Sequence, residues 1–86
     1  MKIKAYKSFK KAYRILPQNI QNKTDKQLEI LEIDYLHPSL HTKKIKGKED
    51  IWEARVDLHY RMTFEILADT IYMRTVGNHD DVLKNP

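Results

Sequence analysis

Apolar residues recur at helical spacing in the first half of this chain and at strand spacing in the second. Phe9, Ala12, Tyr13 and Leu16 fall at i, i+3, i+4 and i+7, one face of a helix, and Ser8 has the chemistry of its N-cap. Pro17 ends that helix, because it has no backbone N–H to donate, and can open the next. Ile20, Thr24, Leu28, Leu31 and Tyr35 form a second stripe, widened by Ile30 and Ile33, so a second helix is expected over residues 18–36. His37-Pro38 closes it, since a residue ahead of proline avoids the α region. Before the helices, Ile3 and Ala5 alternate with lysines and read as a short first strand over 2–6.

From residue 41 the period becomes two. Segments 41–46, 51–57, 60–66 and 70–76 are rich in β-branched and aromatic residues and are separated by Gly47, Asp57-Leu58-His59 and Ala68-Asp69. Connections this short are hairpins, so the sheet is expected to be mainly antiparallel. The expected architecture is α+β: an N-terminal strand and an αα-hairpin packed on one face of a twisted sheet of four or five strands, in one domain over residues 1–86. Alternation also assigns the faces. Trp52, Ala54 and Val56, Tyr60, Met62, Phe64 and Ile66, and Ile71 and Met73 face the helices. Glu53, Arg55, Arg61, Thr63, Glu65, Tyr72 and Arg74 take the opposite face, and Lys44 and Lys46 join them if Ile45 points inward.

Composition narrows the function classes. Eighty-six residues leave no room for a large multidomain or Rossmann-type enzyme, and the absence of cysteine removes disulfides and thiolate chemistry. No apolar run reaches signal-peptide or membrane-span length, so a cytoplasmic location is expected. The net charge of +4 is unevenly spread: residues 1–16 hold Lys2, Lys4, Lys7, Lys10, Lys11 and Arg14 with no acid, and residues 37–48 hold Lys43, Lys44, Lys46 and Lys48 with none. Two purely basic blocks suit an anionic partner, nucleic acid or an acidic protein, although lysine also serves simply to solvate small domains.

Three of the four arginines (Arg55, Arg61 and Arg74) lie on the predicted outer face, and a guanidinium fork matches phosphate oxygens. Each also has an ordinary reading. Arg55 and Arg61 can pair across strands with Glu53 and Glu65, Trp52 reads as core, and His37, His41 and His59 read as loop or hairpin residues. His79, in Gly77-Asn78-His79-Asp80-Asp81, follows the last strand and reads equally as a turn residue or a catalyst. No histidines have metal-ligand spacing on one element, so no metal or other cofactor is expected. The residues point to an anion-binding sheet face with a histidine at its rim, and leave binder and nuclease both open.

Lys43-Lys44-Ile45-Lys46-Gly47, Ile51-Trp52-Glu53-Ala54-Arg55-Val56, Tyr60-Arg61-Met62-Thr63-Phe64 and Val76-Gly77-Asn78-His79-Asp80-Asp81-Val82-Leu83 together resemble the RelE/ParE superfamily of toxins from bacterial type II toxin–antitoxin modules. The resemblance runs over the whole chain and is strongest over 40–83; its ending is similar to the YafQ-like and HigB-like branches. It implies a microbial-RNase-like fold and a metal-independent endoribonuclease acting on messenger RNA, in RelE-like members on the ribosome, neutralised by an acidic antitoxin. Carried onto this sequence, Arg61 matches the phosphate-binding arginine and His79 the terminal histidine of that branch, an acid or base. Arg55 lies near a further basic position, and Glu53, where some members are basic, is a candidate base. Lys44, Lys46, Arg74 and Tyr72 are implied RNA contacts. The C-terminal tyrosine of some RelE members has no counterpart here. A ParE-like gyrase inhibitor and a member that only binds antitoxin are the alternatives on the same fold.

Overall fold

The computed structural model describes residues 1–48 and 50–86. The chain runs through β1 (Lys2–Ala5), α1 (Lys7–Arg14), α2 (Gln18–Ile33), a 3-10 turn (Pro38–Leu40), β2 (Lys43–Lys44), β3 (Trp52–Arg55), β4 (Tyr60–Leu67), β5 (Thr70–Asn78) and α3 (His79–Lys84). Two helices pack against a five-stranded mixed sheet in the order β1-β5-β4-β3-β2. β2 through β5 form an antiparallel meander, and β1 returns beside β5 in parallel register, Ile3 opposite Ile71. A parallel neighbour needs a long crossover, and the α1–α2 pair together with β2 to β4 supplies it.

The core lies between the helices and one sheet face. Leu31, Leu40, Met62, Phe64 and Ile71 are fully buried there, with Phe9, Ile20, Ala54 and Met73 around them. Removing a leucine or phenylalanine side chain from water contributes about 1.5–3 kcal/mol, the main return available to so small a chain. Thr24, in the apolar stripe of α2, is fully buried because its hydroxyl donates to the Ile20 carbonyl at 2.8 Å.

Several elements differ from expectation for local reasons. Tyr6, not Ser8, is the N-cap of α1, and the Ser8 hydroxyl instead donates to the Arg74 carbonyl on β5. α2 stops at Ile33, three residues early: Asp34 turns extended and its carboxylate accepts the Leu36 amide at 3.0 Å. Ile33, expected to widen the apolar stripe, is instead 86% exposed at the end of the helix. The expected strand 41–46 shrinks to two residues, because Pro38–Leu40 form a 3-10 turn before it and, after it, the Ile45 carbonyl turns to the Lys48 amide at 3.0 Å.

The sheet face away from the helices is the larger correction. Glu53, Arg61 and Thr63 were expected to emerge on it, yet they are 6%, 7% and 0% exposed. A helix absent from the sequence expectation, α3, packs on β4 and β5 of this face and brings Pro86 onto Thr63, while the carbonyls of Asp57, Leu58 and Tyr60 wrap the Arg61 guanidinium. Val82 packs where Gly77 leaves room, since a Cβ on Gly77 would stand 3.3 Å from the Val82 Cγ2. The main-chain oxygen of Pro86 accepts hydrogen bonds from Thr63 Oγ1 at 2.9 Å and Arg74 Nε at 3.0 Å. β5 also carries a bulge: Thr63 faces Thr75 while Phe64 faces Met73, so Arg74 is the extra residue. The bulge shifts the alternation by one, which puts Val76 rather than Thr75 into the core.

Candidate active site

Where α3 leaves part of this face uncovered, seven residues line a concavity of about 420 Å³: His41, Thr42, Lys43, Glu53, Arg55, Arg61 and His79. Sheet pleat and register assemble it. Glu53 and Arg55 are two apart on β3 and share a face; Lys43 of β2 stands opposite Glu53, and Arg61 of β4 stands opposite Arg55. His79 is the first residue of α3, a helix capped by the Asn78 side chain, which accepts the Asp80 amide at 3.1 Å. His41 sits in the left-handed region, with φ 47° and ψ 43°, just after Leu40 is anchored in the core. A non-glycine residue held there is unusual and is enriched at functional sites.

The electrostatics favour an anion. Three cations face one carboxylate, with two imidazoles beside them. The Arg61 guanidinium is fixed from behind, its Nη1 lying 2.7, 3.0 and 3.1 Å from the carbonyl oxygens of Asp57, Leu58 and Tyr60. Its Nε is 3.9 Å from the Glu53 carboxylate, close enough to pair and too far for a direct hydrogen bond. Burial, and then the positive charge of Arg55 opposite, hold the Arg61 pKa below the usual arginine value, with Glu53 and Asp57 pulling the other way. It remains a cation at any physiological pH. Among the described residues no fully buried side-chain nitrogen or oxygen lacks a partner, so the uncommitted Nε and Nη2 of Arg61 and the Glu53 oxygens keep some access to solvent at the margin of the concavity that both residues line. The His79 Nδ1 lies 3.3 Å from the Asp80 carboxylate, leaving Nε2 without a partner among the described residues. No three metal-ligating side chains converge among those residues either.

The concavity continues on both sides. Lys43 and Glu53 also border a depression with Lys44, Ile45, Lys46 and Leu83, while Arg61 and His79 border one with Leu58, His59, Asn78 and Asp80. The result is a shallow groove across the end of the sheet, basic at one end and open along its length.

All four residues expected to be catalytic (Glu53, Arg55, Arg61 and His79) meet in this groove. The expected anion contacts divide. Lys44 and Lys46 both border the depression beside Glu53, but Lys44 stands opposite Trp52 rather than Glu53, and its ammonium lies 5.3 Å from the centre of the Trp52 ring. Ile45, used to set the alternation, lies beyond the strand, so the lysine on the site face is Lys43. Arg74 and Tyr72 lie on the far side of the Pro86 tail. Arg74 pairs with Glu65 at 3.4 Å, and Tyr72 stacks on Tyr6 at 5.6 Å between ring centres, with the Tyr6 hydroxyl bonded to Glu65. The three strand arginines therefore make two clusters, with only Arg55 and Arg61 at the site. Lys43 was legible only from strand register, and nothing local marked His41 apart from its place beside Leu40.

No protein-family model matches this sequence, and no curated protein does. Solved structures do match. The RelB–RelE antitoxin–toxin complex from Methanococcus jannaschii has a chain 26% identical, with a TM-score of 0.76 over 95% of this chain and 98% of that one. YafQ from E. coli is 15% identical with a TM-score of 0.72, covering 93% of this chain and 94% of its own. The YoeB dimer from Staphylococcus aureus is 15% identical with a TM-score of 0.74, covering 92% and 97%. At the lower identities the likeness is one of fold. The structural neighbours of this chain are RelE-, YoeB- and YafQ-type toxins of toxin–antitoxin systems.

Proposed function

We propose that this protein is the toxin of a toxin–antitoxin pair and that it cleaves RNA with its own side chains. The observation that carries the reading is the groove in which Lys43, Arg55 and Arg61 surround a site flanked by His41 and His79. One imidazole removes the proton from a ribose 2′-hydroxyl, whose oxygen attacks the adjacent phosphorus. The bond from phosphorus to the 5′-oxygen breaks, and the other imidazole, in its protonated form, supplies the proton that the departing oxygen needs. The products are a 2′,3′-cyclic phosphate and a 5′-hydroxyl. The pentacovalent state carries one more negative charge than the ground state, and three preplaced cations stabilise that difference. Glu53, opposite Lys43 in register, is the counter-ion of Arg61 and balances its charge before substrate arrives.

An open groove with little depth suits a polymer held by something else, which supports messenger RNA on the ribosome as the substrate. The basic residues of β1 and α1 make no ion pair among the described residues, and they suit an acidic antitoxin. No helix among the described residues is long and apolar enough to cross a membrane, and a translation-directed toxin works in the cytoplasm. A gyrase inhibitor of the ParE kind would have no use for the paired imidazoles, and a chain that only binds antitoxin would have no use for the preplaced cations.

The test is direct. Purified protein is incubated with RNA alone and with translating ribosomes, and the fragment ends are identified. Cyclic-phosphate and 5′-hydroxyl ends are expected. RNA left intact in both settings, with gyrase-trapped cleaved DNA instead, would reverse the reading.

A further inference from the structure

Four successive carbonyl groups of the turn between β3 and β4 serve the candidate site. Those of Asp57, Leu58 and Tyr60 surround the Arg61 Nη1, and that of His59 accepts the His79 backbone amide at 2.8 Å. One turn thus sets the position of two residues that come from different elements. The turn is in turn closed by Asp57. Its Oδ1 accepts the amides of His59 and Tyr60, both at 2.9 Å, and its Oδ2 accepts from Lys23 Nζ on α2 at 3.2 Å. One helical turn further along α2, the Gln27 side chain donates to the Arg55 carbonyl at 3.0 Å. Asp57 itself does not line the groove.

We propose that Asp57 is a positioning residue: by closing the turn 57–60 its carboxylate holds the Arg61 guanidinium and the start of α3 in register, with Lys23 anchoring that turn, and Gln27 the end of β3 before it, to α2. The effect on rate rests on the nuclease reading, but the clamp itself does not. The arrangement separates two roles of the carboxylate. Accepting two main-chain amides closes the turn. The ion pair with Lys23, whose side chain is 52% exposed, contributes little, as exposed pairs do. Asparagine preserves the first role and loses the second, whereas alanine loses both. A loosened turn frees Nη1 and lets the guanidinium drift from the position at which it meets a phosphate, and misplacement by about 1 Å costs on the order of a hundredfold in rate.

The experiment compares wild type, Asp57→Asn, Asp57→Ala and Lys23→Ala by single-turnover RNA cleavage, with rates scaled to the folded fraction. The Arg61 side-chain N–H resonances and the His79 imidazole resonances are recorded by NMR in the same proteins. Asp57→Ala is expected to cleave at least about tenfold more slowly and to speed exchange of the Arg61 protons with water. Asp57→Asn and Lys23→Ala stay within about threefold of wild type. A merely structural role would lower the folded fraction and leave the scaled rate and the Arg61 signals unchanged, and that result overturns the proposal. An Asp57→Asn protein as slow as Asp57→Ala also overturns it, since charge rather than turn closure would then be at work. If wild type cuts no RNA, the nuclease reading fails, and the Arg61 signals alone still decide whether the clamp exists.

Discussion

Arg55 and Arg61 face each other across β3 and β4, an arrangement that costs stability and that the proposed cleavage would put to use. Like charges directly opposed on a sheet destabilise it by about 0.2–1 kcal/mol. Arg61 is locked by three carbonyls and Glu53, while the Arg55 guanidinium has no hydrogen bond or ion pair among the described residues. Arg55→Gln keeps much of the side-chain length and removes the charge, so it should relieve the repulsion without opening a cavity. For a domain of this size the relief corresponds to a melting temperature higher by about 1–8 °C. On the proposed reaction the same change removes one of three cations around the scissile phosphate and should slow cleavage by about a hundredfold or more. Arg61→Gln is the contrasting case. It leaves the Glu53 carboxylate buried without its cation, at a cost of about 3–5 kcal/mol, and its loss of activity would be confounded with loss of fold. Thermal melts by circular dichroism and single-turnover cleavage of a short RNA measure both quantities. An Arg55→Gln protein that melts lower than wild type, or cuts RNA at the wild-type rate, would refute the reasoning.

The remaining predictions concern the proton-transfer pair, a turn and an acid transition. His41→Gln and His79→Gln should each slow cleavage by about 10²–10⁴-fold with thermal melts close to wild type, and a rate within threefold for either would remove that residue from the mechanism. Ala68, in the turn between β4 and β5, has φ 55°, where a side chain is strained, so Ala68→Gly should raise stability by about 0.5–1 kcal/mol in urea titrations. Burial works against the Asp57 charge, but the amides of His59 and Tyr60 and the Lys23 ammonium outweigh it and lower its pKa from 3.8. That stabilisation is complete above the unfolded value and is lost as pH falls through the lower folded value, so stability should decline below about pH 4 and decline less steeply in Asp57→Asn.

The chain by itself determined what depends on near neighbours. Periods of 3.6 and 2 placed both helices and the strands 52–55, 60–67 and 70–78 to within a few residues. Alternation put Glu53, Arg55 and Arg61 on one face, because three short strands joined by tight turns leave a single register in which their apolar residues all face inward. What depends on distant partners was decided only in three dimensions. Parallel pairing of β1 with β5 joins residues about seventy apart in sequence, and a bulge at Arg74 exists only relative to the strand it faces. The closure of α3 and Pro86 over β4 and β5 buried Thr63 on a face expected to be solvated, and the turn 57–60 and the neighbouring strands left Glu53 and Arg61 only a small opening to the groove. Edge-strand register chose Lys43 over Lys44, and the anchoring of Leu40 brought His41 to the groove. Local periodicity reports which way a side chain leaves the backbone. Whether it meets water, a carboxylate or another arginine depends on segments far along the chain, and that difference gives the groove its chemistry.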